Sequence, residues 1–295
     1  MSSPDITAVE VEAVNQVLQT PSLSNGPRIV GFEESFSSYL GVSCAIGVSG
    51  GTAGLHLALI ASGVGEGDLV ITTPFSFVAS ANVILYEGAT PIFVDIDPNT
   101  LNIDPVQLTE VVEDLVCLQP SSVRRFPPSL RDQLSSVFRP PTLVLPVHTF
   151  GQPADMDAVL KVAREHNLAV IEDACEALGA EYKGRKAGTL GDCGVFGFYP
   201  NKQITTGEGG MIVTNRGEWD SLFRSLRNQG RDTFDAWLNH KRLGYNYRLD
   251  EMSAALGLAQ LGRIDDLLAS RQQVADWYNE RLTEVQGLRP PYVAP

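Results

Sequence analysis

The chain has 295 residues, 43% hydrophobic and 19% charged, with 22 Lys plus Arg against 35 Asp plus Glu for a net charge of −13. That much apolar material builds one large core or two unequal domains. The acidic balance argues against the broad basic footprint that nucleic acid or anionic membrane requires, leaving at most a local cluster for a phosphate. Cys44, Cys117, Cys175 and Cys193 show no C-x-x-C spacing and the four histidines are scattered, which argues against structural zinc and for reduced thiols in the cytoplasm. The N-terminus, MSSPDITAVEVEAVNQVL, is acidic with no apolar h-region, unlike a signal peptide, and no apolar run is long enough to span a membrane.

In chain order, Ile6, Val9, Val14, Val17 and Leu18 recur at helical spacing behind Pro4, so a helix is expected over 5–18. PSLSNGPRI reads as a loop and GFEESFSSYLG as a short helix closed by Gly41. CAIGVS reads as a buried strand, and GGTAGLHLALIASG as an apolar helix ending at Gly63. DLVITTP, TPIFVDID, TLVLPVHT and LAVIEDA read as strands, with FVASANVILYEG and DMDAVLKVAREHN as helices among them. GVFGFYP and GGMIVTN are two further strands flanking a loop that contains Lys202. Helix returns from about Glu218, breaks at GYNYR, and LDEMSAALGLAQLGRIDDLL reads as one amphipathic helix. The Pro-, Ser- and Arg-rich stretch PSSVRRFPPSLRDQLSSVFRPP reads as an exposed insertion. Apolar strands alternating with helices indicate an α/β domain with a largely parallel, doubly covered sheet, in which ligands collect beyond the carboxyl ends of the strands.

Three features at that edge can carry chemistry. SGGTAGL, Ser49 to Leu55, is a strand-to-helix turn whose free N–H groups suit a phosphate, although Thr52 is equally a reasonable N-cap. It is not a P-loop, and GVGEG follows a helix, so it reads as a helix stop and not as a dinucleotide loop. Glu172 and Asp173 end an apolar strand, where a carboxylate needs a partner. Asp173 is either a helix N-cap or the partner of a protonated cofactor ring nitrogen. Lys202 stands between the aromatic run Phe196, Phe198, Tyr199 and the small residues Thr205, Thr206, Gly207, Gly209 and Gly210. A surface charge is the default for any lysine, but partial burial near a cation would make this one a usable amine nucleophile. Phosphate turn, strand-end aspartate and loop lysine are together the parts of a pyridoxal phosphate site.

SGGTAGLHLAL, PIFVDID, PVHTFGQPADMDAV, IEDACEALGAEYKG, KQITTGEGGMIVTN and GYNYRLDEMSAALGLAQL together resemble the DegT/DnrJ/StrS aminotransferases, from roughly Ser22 to Tyr278. The resemblance implies an aspartate-aminotransferase-like fold of type I and a pyridoxal-phosphate enzyme that moves an amino group, with glutamate as donor, to a keto-sugar on a nucleotide carrier. Such chemistry serves surface-polysaccharide or secondary-metabolite sugar synthesis. It further implies that Lys202 holds the cofactor aldehyde as a Schiff base and that Asp173 pairs with the ring nitrogen. Phe77 corresponds to the aromatic stacked on the ring, though it also reads as a core residue. Gly51, Thr52 and Ala53 correspond to the phosphate turn. Asn246 corresponds to an asparagine reaching the phosphate of a neighbouring subunit in a homodimer, though it also reads as a turn residue. Asn25, Gly26 and His148 are expected near substrate.

This sequence departs from the family pattern in carrying Glu176 where many members have Gln, and Gly197 where many have a phosphate-bonding Ser. Residues 1–240 are expected to form the large cofactor-binding domain, with an N-terminal helix and an insertion around 117–141. Residues 241–295 are expected to begin a small C-terminal domain that stops short. A lysine at 202 argues against the relatives that have histidine there and perform dehydration. The competing class is a regulatory or partner protein that binds the cofactor without turning it over.

Overall fold

In the computed structural model, residues 3–117, 119–126, 140–232 and 239–294 are described. The helices are α1 (Ala8–Leu18), α2 (Pro27–Leu40), α3 (Gly51–Ala61), α4 (Ala79–Tyr86), α5 (Pro105–Val116), α6 (Met156–His166), α7 (Gly217–Arg227), α8 (Glu251–Leu261) and α9 (Ile264–Thr283). The strands are β1 (Cys44–Val48), β2 (Leu69–Thr72), β3 (Thr90–Phe93), β4 (Pro141–Val144), β5 (Ala169–Asp173), β6 (Glu181–Tyr182), β7 (Arg185–Lys186), β8 (Cys193–Gly197) and β9 (Gly210–Thr214).

Local chemistry sets most boundaries. The first helix begins at Ala8, later than Pro4 suggests, because Thr7 caps it: Glu10 accepts the Thr7 N–H at 2.7 Å and the Thr7 hydroxyl accepts from Val9. Helix α2 reaches back to Pro27, inside the expected loop, since Glu251 of α8 accepts the N–H groups of Arg28 and Ile29 at 2.8 and 3.0 Å. No element was expected over 105–116, yet Asp104 caps α5 and Pro105 opens it. The single helix expected over 249–268 is two, broken at Gly262 and Arg263, and α8 is largely buried between α1 and α2. Of the expected insertion, Pro120–Arg125 form a short 3₁₀ turn and 127–139 lie outside the described residues.

The seven-stranded sheet runs β1-β9-β8-β5-β4-β2-β3, and only β9 opposes the common direction. Alternate side chains go to opposite faces. Ile46, Val48, Leu143, Ile171, Val195 and Ile212 pack under α3, α4 and α7. On the other face Ala45, Phe196 and Met211 meet α2 and α8, while Ile71, Ile92 and Val144 meet α5 and α6. The boundary expected at residue 240 does not appear as a break in packing. Tyr245 and Tyr247 pack on the first core, and Leu249, Ala254, Leu261, Ile264 and Leu267 belong to the second. Among the described residues no helix is long and apolar enough to cross a membrane.

Two buried ionic clusters close the ends of this body. Strand β1 lies at the edge of the sheet, and its outward polar groups are taken by side chains. Glu33 accepts the Gly47 N–H at 2.9 Å, Arg224 donates to the Ala45 carbonyl at 3.2 Å, and Arg227 donates to the Gly47 carbonyl and to Glu33, both at 2.5 Å. These bonds deny the edge to another strand. At the opposite surface of α8, buried Glu10 accepts from Gln260 at 2.9 Å and from Arg263 at 2.7 Å. Burial opposes ionisation of Glu10, but bonds from the Thr7 hydroxyl and N–H, then from Gln260 and Arg263, outweigh it and hold the carboxyl at about 2.

Because the folded value lies below the ordinary 4.5, the Glu10 contribution is complete above pH 4.5 and is lost as pH falls toward 2. It is worth at most about 3 kcal/mol. Urea midpoints should therefore show Glu10→Gln destabilised at neutral pH, with the gap from wild type closing in acid. Arg227→Ala leaves Glu33 half-paired and the edge open, so it should cost about 3 kcal/mol and raise concentration-dependent light scattering.

Candidate active site

The carboxyl ends of β1, β2, β4, β5 and β8 point the same way, and the loops leaving them converge on residues 173–176. Asp173 is 6% exposed at the end of β5. One oxygen accepts from the Ser80 hydroxyl at 2.7 Å and the other from the Cys175 N–H at 3.2 Å. Residues 174–180 are turns, so Asp173 caps no helix. Ser80 belongs to α4, three residues past Phe77. Behind Asp173, fully buried Glu172 accepts from the N–H groups of Gly188, Leu190 and Gly191 at 2.6–2.8 Å and pairs with His148 at 2.8 Å. The other ring nitrogen of His148 accepts the Ala154 N–H at 3.1 Å. With both nitrogens engaged and no exposed surface, His148 is a framework residue, and its expected contact with substrate is corrected.

Gly50 stands at the N-cap of helix α3, and among the described residues no side chain caps it. Thr52 is the second helical residue, not the cap, and it is exposed. The first intrahelical bond is Gly54 N–H to the Gly50 carbonyl, which leaves the N–H groups of Gly51, Thr52 and Ala53 without helical acceptors. Two glycines allow this end to enter the site. A Cβ on Gly51 would stand 2.7 Å from the Cys175 sulfur, and one on Gly210 would stand 2.7 Å from the Gly50 carbonyl carbon. A Cβ on Gly197 would lie 3.4 Å from the Cys175 sulfur, so the thiol fills the space beside Gly197. Burial, then the charge of Asp173, push the Cys175 thiol well above its ordinary range while the Lys202 charge opposes them.

The lysine loop is built by the residues around it. Phe196 and Phe198 are buried against Phe32 and Phe36 and anchor its start, while Tyr199 is exposed. The Thr205 hydroxyl donates to the Phe198 carbonyl at 3.0 Å, and the Thr206 hydroxyl to the Glu208 carbonyl at 2.7 Å. Gly207 has φ +81°, a left-handed turn that returns the chain to β9. Lys202 projects from this hairpin with an 18% exposed side chain, and its Nζ donates to Glu176 at 3.0 Å. Its ionic partner is thus a carboxylate and not a cation. The Gln203 amide donates to the Glu176 carbonyl, and Arg271 of α9 donates to the carbonyls of Asn201 and Lys202. The second oxygen of Glu176 accepts the Phe150 N–H at 3.1 Å.

Residues 173–176 therefore touch the acid, the amine and the open helix end at once. Phe77 is 78% exposed, which excludes the core alternative. Asn246 is exposed between Tyr245 and Tyr247, whose rings stack at 5.1 Å, and the Tyr247 carbonyl accepts the Ser49 N–H at 2.8 Å beside the helix end. Among the described residues Asn246 has no side-chain bond to Lys202 or Asp173. Gly26 is needed for packing, since a Cβ there would stand 2.6 Å from Glu251; Asn25 beside it is exposed at φ +53°. Neither is bonded to the amine. Ser80, Cys175 and Phe150 were not expected in the site. Only Ser80, one helical turn past Phe77, carried a usable signal.

An uncapped helix end, a strand-end carboxylate and a partly buried amine on one rim fit a group that carries a phosphate, a ring nitrogen and an aldehyde. The profile of the DegT/DnrJ/EryC1/StrS aminotransferase family matches residues 4–295. A GDP-perosamine synthase of Caulobacter vibrioides is 42% identical over 296 residues, covering 100% of this chain and 73% of the relative. The spore coat polysaccharide biosynthesis protein SpsC of Bacillus subtilis is 39% identical over 302 residues, covering 99% and 71%. The solved Helicobacter pylori PseC, an aminotransferase involved in the biosynthesis of pseudoaminic acid, aligns with a TM-score of 0.84 at 30% identity over 97% of this chain and 71% of its own. This chain belongs to the DegT/DnrJ/EryC1/StrS aminotransferase family, whose enzymes depend on pyridoxal phosphate.

Proposed function

We propose that the protein moves an amino group from glutamate to the carbonyl carbon of a nucleotide-linked keto-sugar, in the synthesis of a surface polysaccharide or a secondary-metabolite sugar. The observation that carries this reading is the Asp173–Glu176 segment, which joins a carboxylate, the Lys202 amine and the open end of α3. The likeness to a GDP-perosamine synthase supports a nucleotide sugar as acceptor.

The N–H groups of Gly51, Thr52 and Ala53 would hold the cofactor phosphate, and Asp173, its plane set by Ser80 and the Cys175 N–H, would accept the ring N–H. Phe77 would lie on the ring. When bound, pyridoxal phosphate supplies a ring that takes up the electron pair released as a proton leaves the amine-bearing carbon. Lys202 would hold the cofactor through its aldehyde. When free, its Nζ would take the proton from the amine-bearing carbon of the donor and, in the second half-reaction, place one on the sugar carbon. Glu176 receives the amine when it is not so engaged. Asn246, displayed outward by the two tyrosines, would complete the phosphate site of a second copy in a homodimer.

Protein mixed with pyridoxal phosphate should show the near-visible band of the lysine-bound cofactor, and Lys202→Ala should abolish it. Glutamate alone should then convert the cofactor to its aminated form. A cofactor-dependent regulator would keep the band unchanged with every donor, and that result would replace the proposal. Gly210→Ala should push on the Gly50–Gly51 backbone and weaken cofactor binding about tenfold or more in a spectral titration, with Lys202 still present.

A further inference from the structure

One corner of the site carries structural costs that packing does not explain. Phe150 follows β4 and has φ +54° and ψ +23°, a left-handed conformation that disfavours any residue with a Cβ. Its ring is 73% exposed, touching Phe75 edge-on at 5.9 Å between centroids, so burial does not offset the strain. The preceding residue adds a second cost. Thr149 Oγ1 is buried and, among the described residues, has no hydrogen-bond partner. Costs of this kind persist where surrounding bonds over-determine the backbone, and they cluster at functional sites.

The over-determining bond is visible. The Phe150 N–H donates to one oxygen of Glu176 at 3.1 Å, while the other oxygen holds Lys202 Nζ at 3.0 Å. One carboxylate therefore links the backbone of the strained residue to the amine, and the exposed Phe150 ring meets Phe75, two residues before Phe77. Gly151 has φ +89°, and its amide donates to the His148 carbonyl at 3.2 Å, closing the turn against the buried His148–Glu172 pair. The corner is held on both sides and presents an aromatic face to solvent.

We infer that Phe150 is a substrate-binding residue whose ring receives the apolar C–H face of the acceptor's sugar. The inference rests on the nucleotide-sugar reading above. An aromatic face is negative and apolar, which suits the C–H bonds of a pyranose. The Phe150 backbone is joined to Lys202 through the two oxygens of Glu176, which favours the sugar, whose carbon reacts, over the more distant base. Phe75 backs the ring from its edge. The role is specific to the second half-reaction, because glutamate carries no sugar ring.

The test uses the cofactor-loaded chain and Phe150→Gly, since glycine adopts this backbone freely. Ligand-free Phe150→Gly should melt no lower than wild type, and glutamate should convert its cofactor at the wild-type rate. Calorimetry with GDP-, UDP- and dTDP-linked amino sugars against the bare diphosphates should show the sugar-dependent gain in affinity reduced about tenfold, with the bare diphosphates unaffected. Phe150→Tyr should restore it. The inference is overturned if Phe150→Gly loses melting temperature, weakens the bare diphosphates equally, keeps the full sugar-dependent gain, or dissociates an oligomer in sedimentation, since the ring would then serve packing, the base or a subunit contact. Failure of the wild-type chain to convert its cofactor with glutamate would instead refute the aminotransfer reading, with the binding comparison still judging Phe150.

Discussion

The site depends on a close meeting of backbones at the carboxyl edge of the sheet. The end of β8, the start of β9 and the first turn of α3 approach until a Cβ on Gly51 or Gly210 would overlap a neighbour. Only glycine permits that approach, and the approach is what leaves an uncapped helix end facing the segment after β5. Cys175 fills the remaining space, and its flanking residues Asp173 and Glu176 turn toward the two places where charge is needed. Lys202 is held from the opposite side by a hairpin whose own hydroxyls satisfy its carbonyls.

Buried charge recurs in this fold with a consistent logic. Glu172, Glu33 and Glu10 each lie in the interior and each accepts from several donors, so no buried carboxylate of the three stands alone. Glu172 braces the strand end that carries Asp173. Glu33, with Arg224 and Arg227, closes the free edge of β1, and Glu10 fastens α1 to the joint between α8 and α9. The framework is rigid where the site needs placement, and unrelieved strain is retained beside Lys202, at Phe150.

Much of the fold was legible in the sequence for physical reasons. Strands buried on both faces read as short apolar runs, and Gly41 and Gly63 mark helix ends because a left-handed residue is needed there. The start of α2 was not legible, since its cap is Glu251, more than two hundred residues away. The joint at Gly262 was hidden because apolar spacing continues through it. His148 was expected near substrate, and only the third dimension shows both its nitrogens occupied.

By itself the sequence determined which chemical groups this protein can bring to one edge: a glycine-rich helix start, a strand-end aspartate and a lysine followed by residues able to form a tight hairpin. Those are properties of residue type and short spacing, which local backbone physics translates directly. The tertiary structure decided the partners. It gave Lys202 to Glu176, Asp173 to Ser80, and Phe150 to Glu176, because each of those contacts joins segments whose proximity arises only when the sheet is assembled.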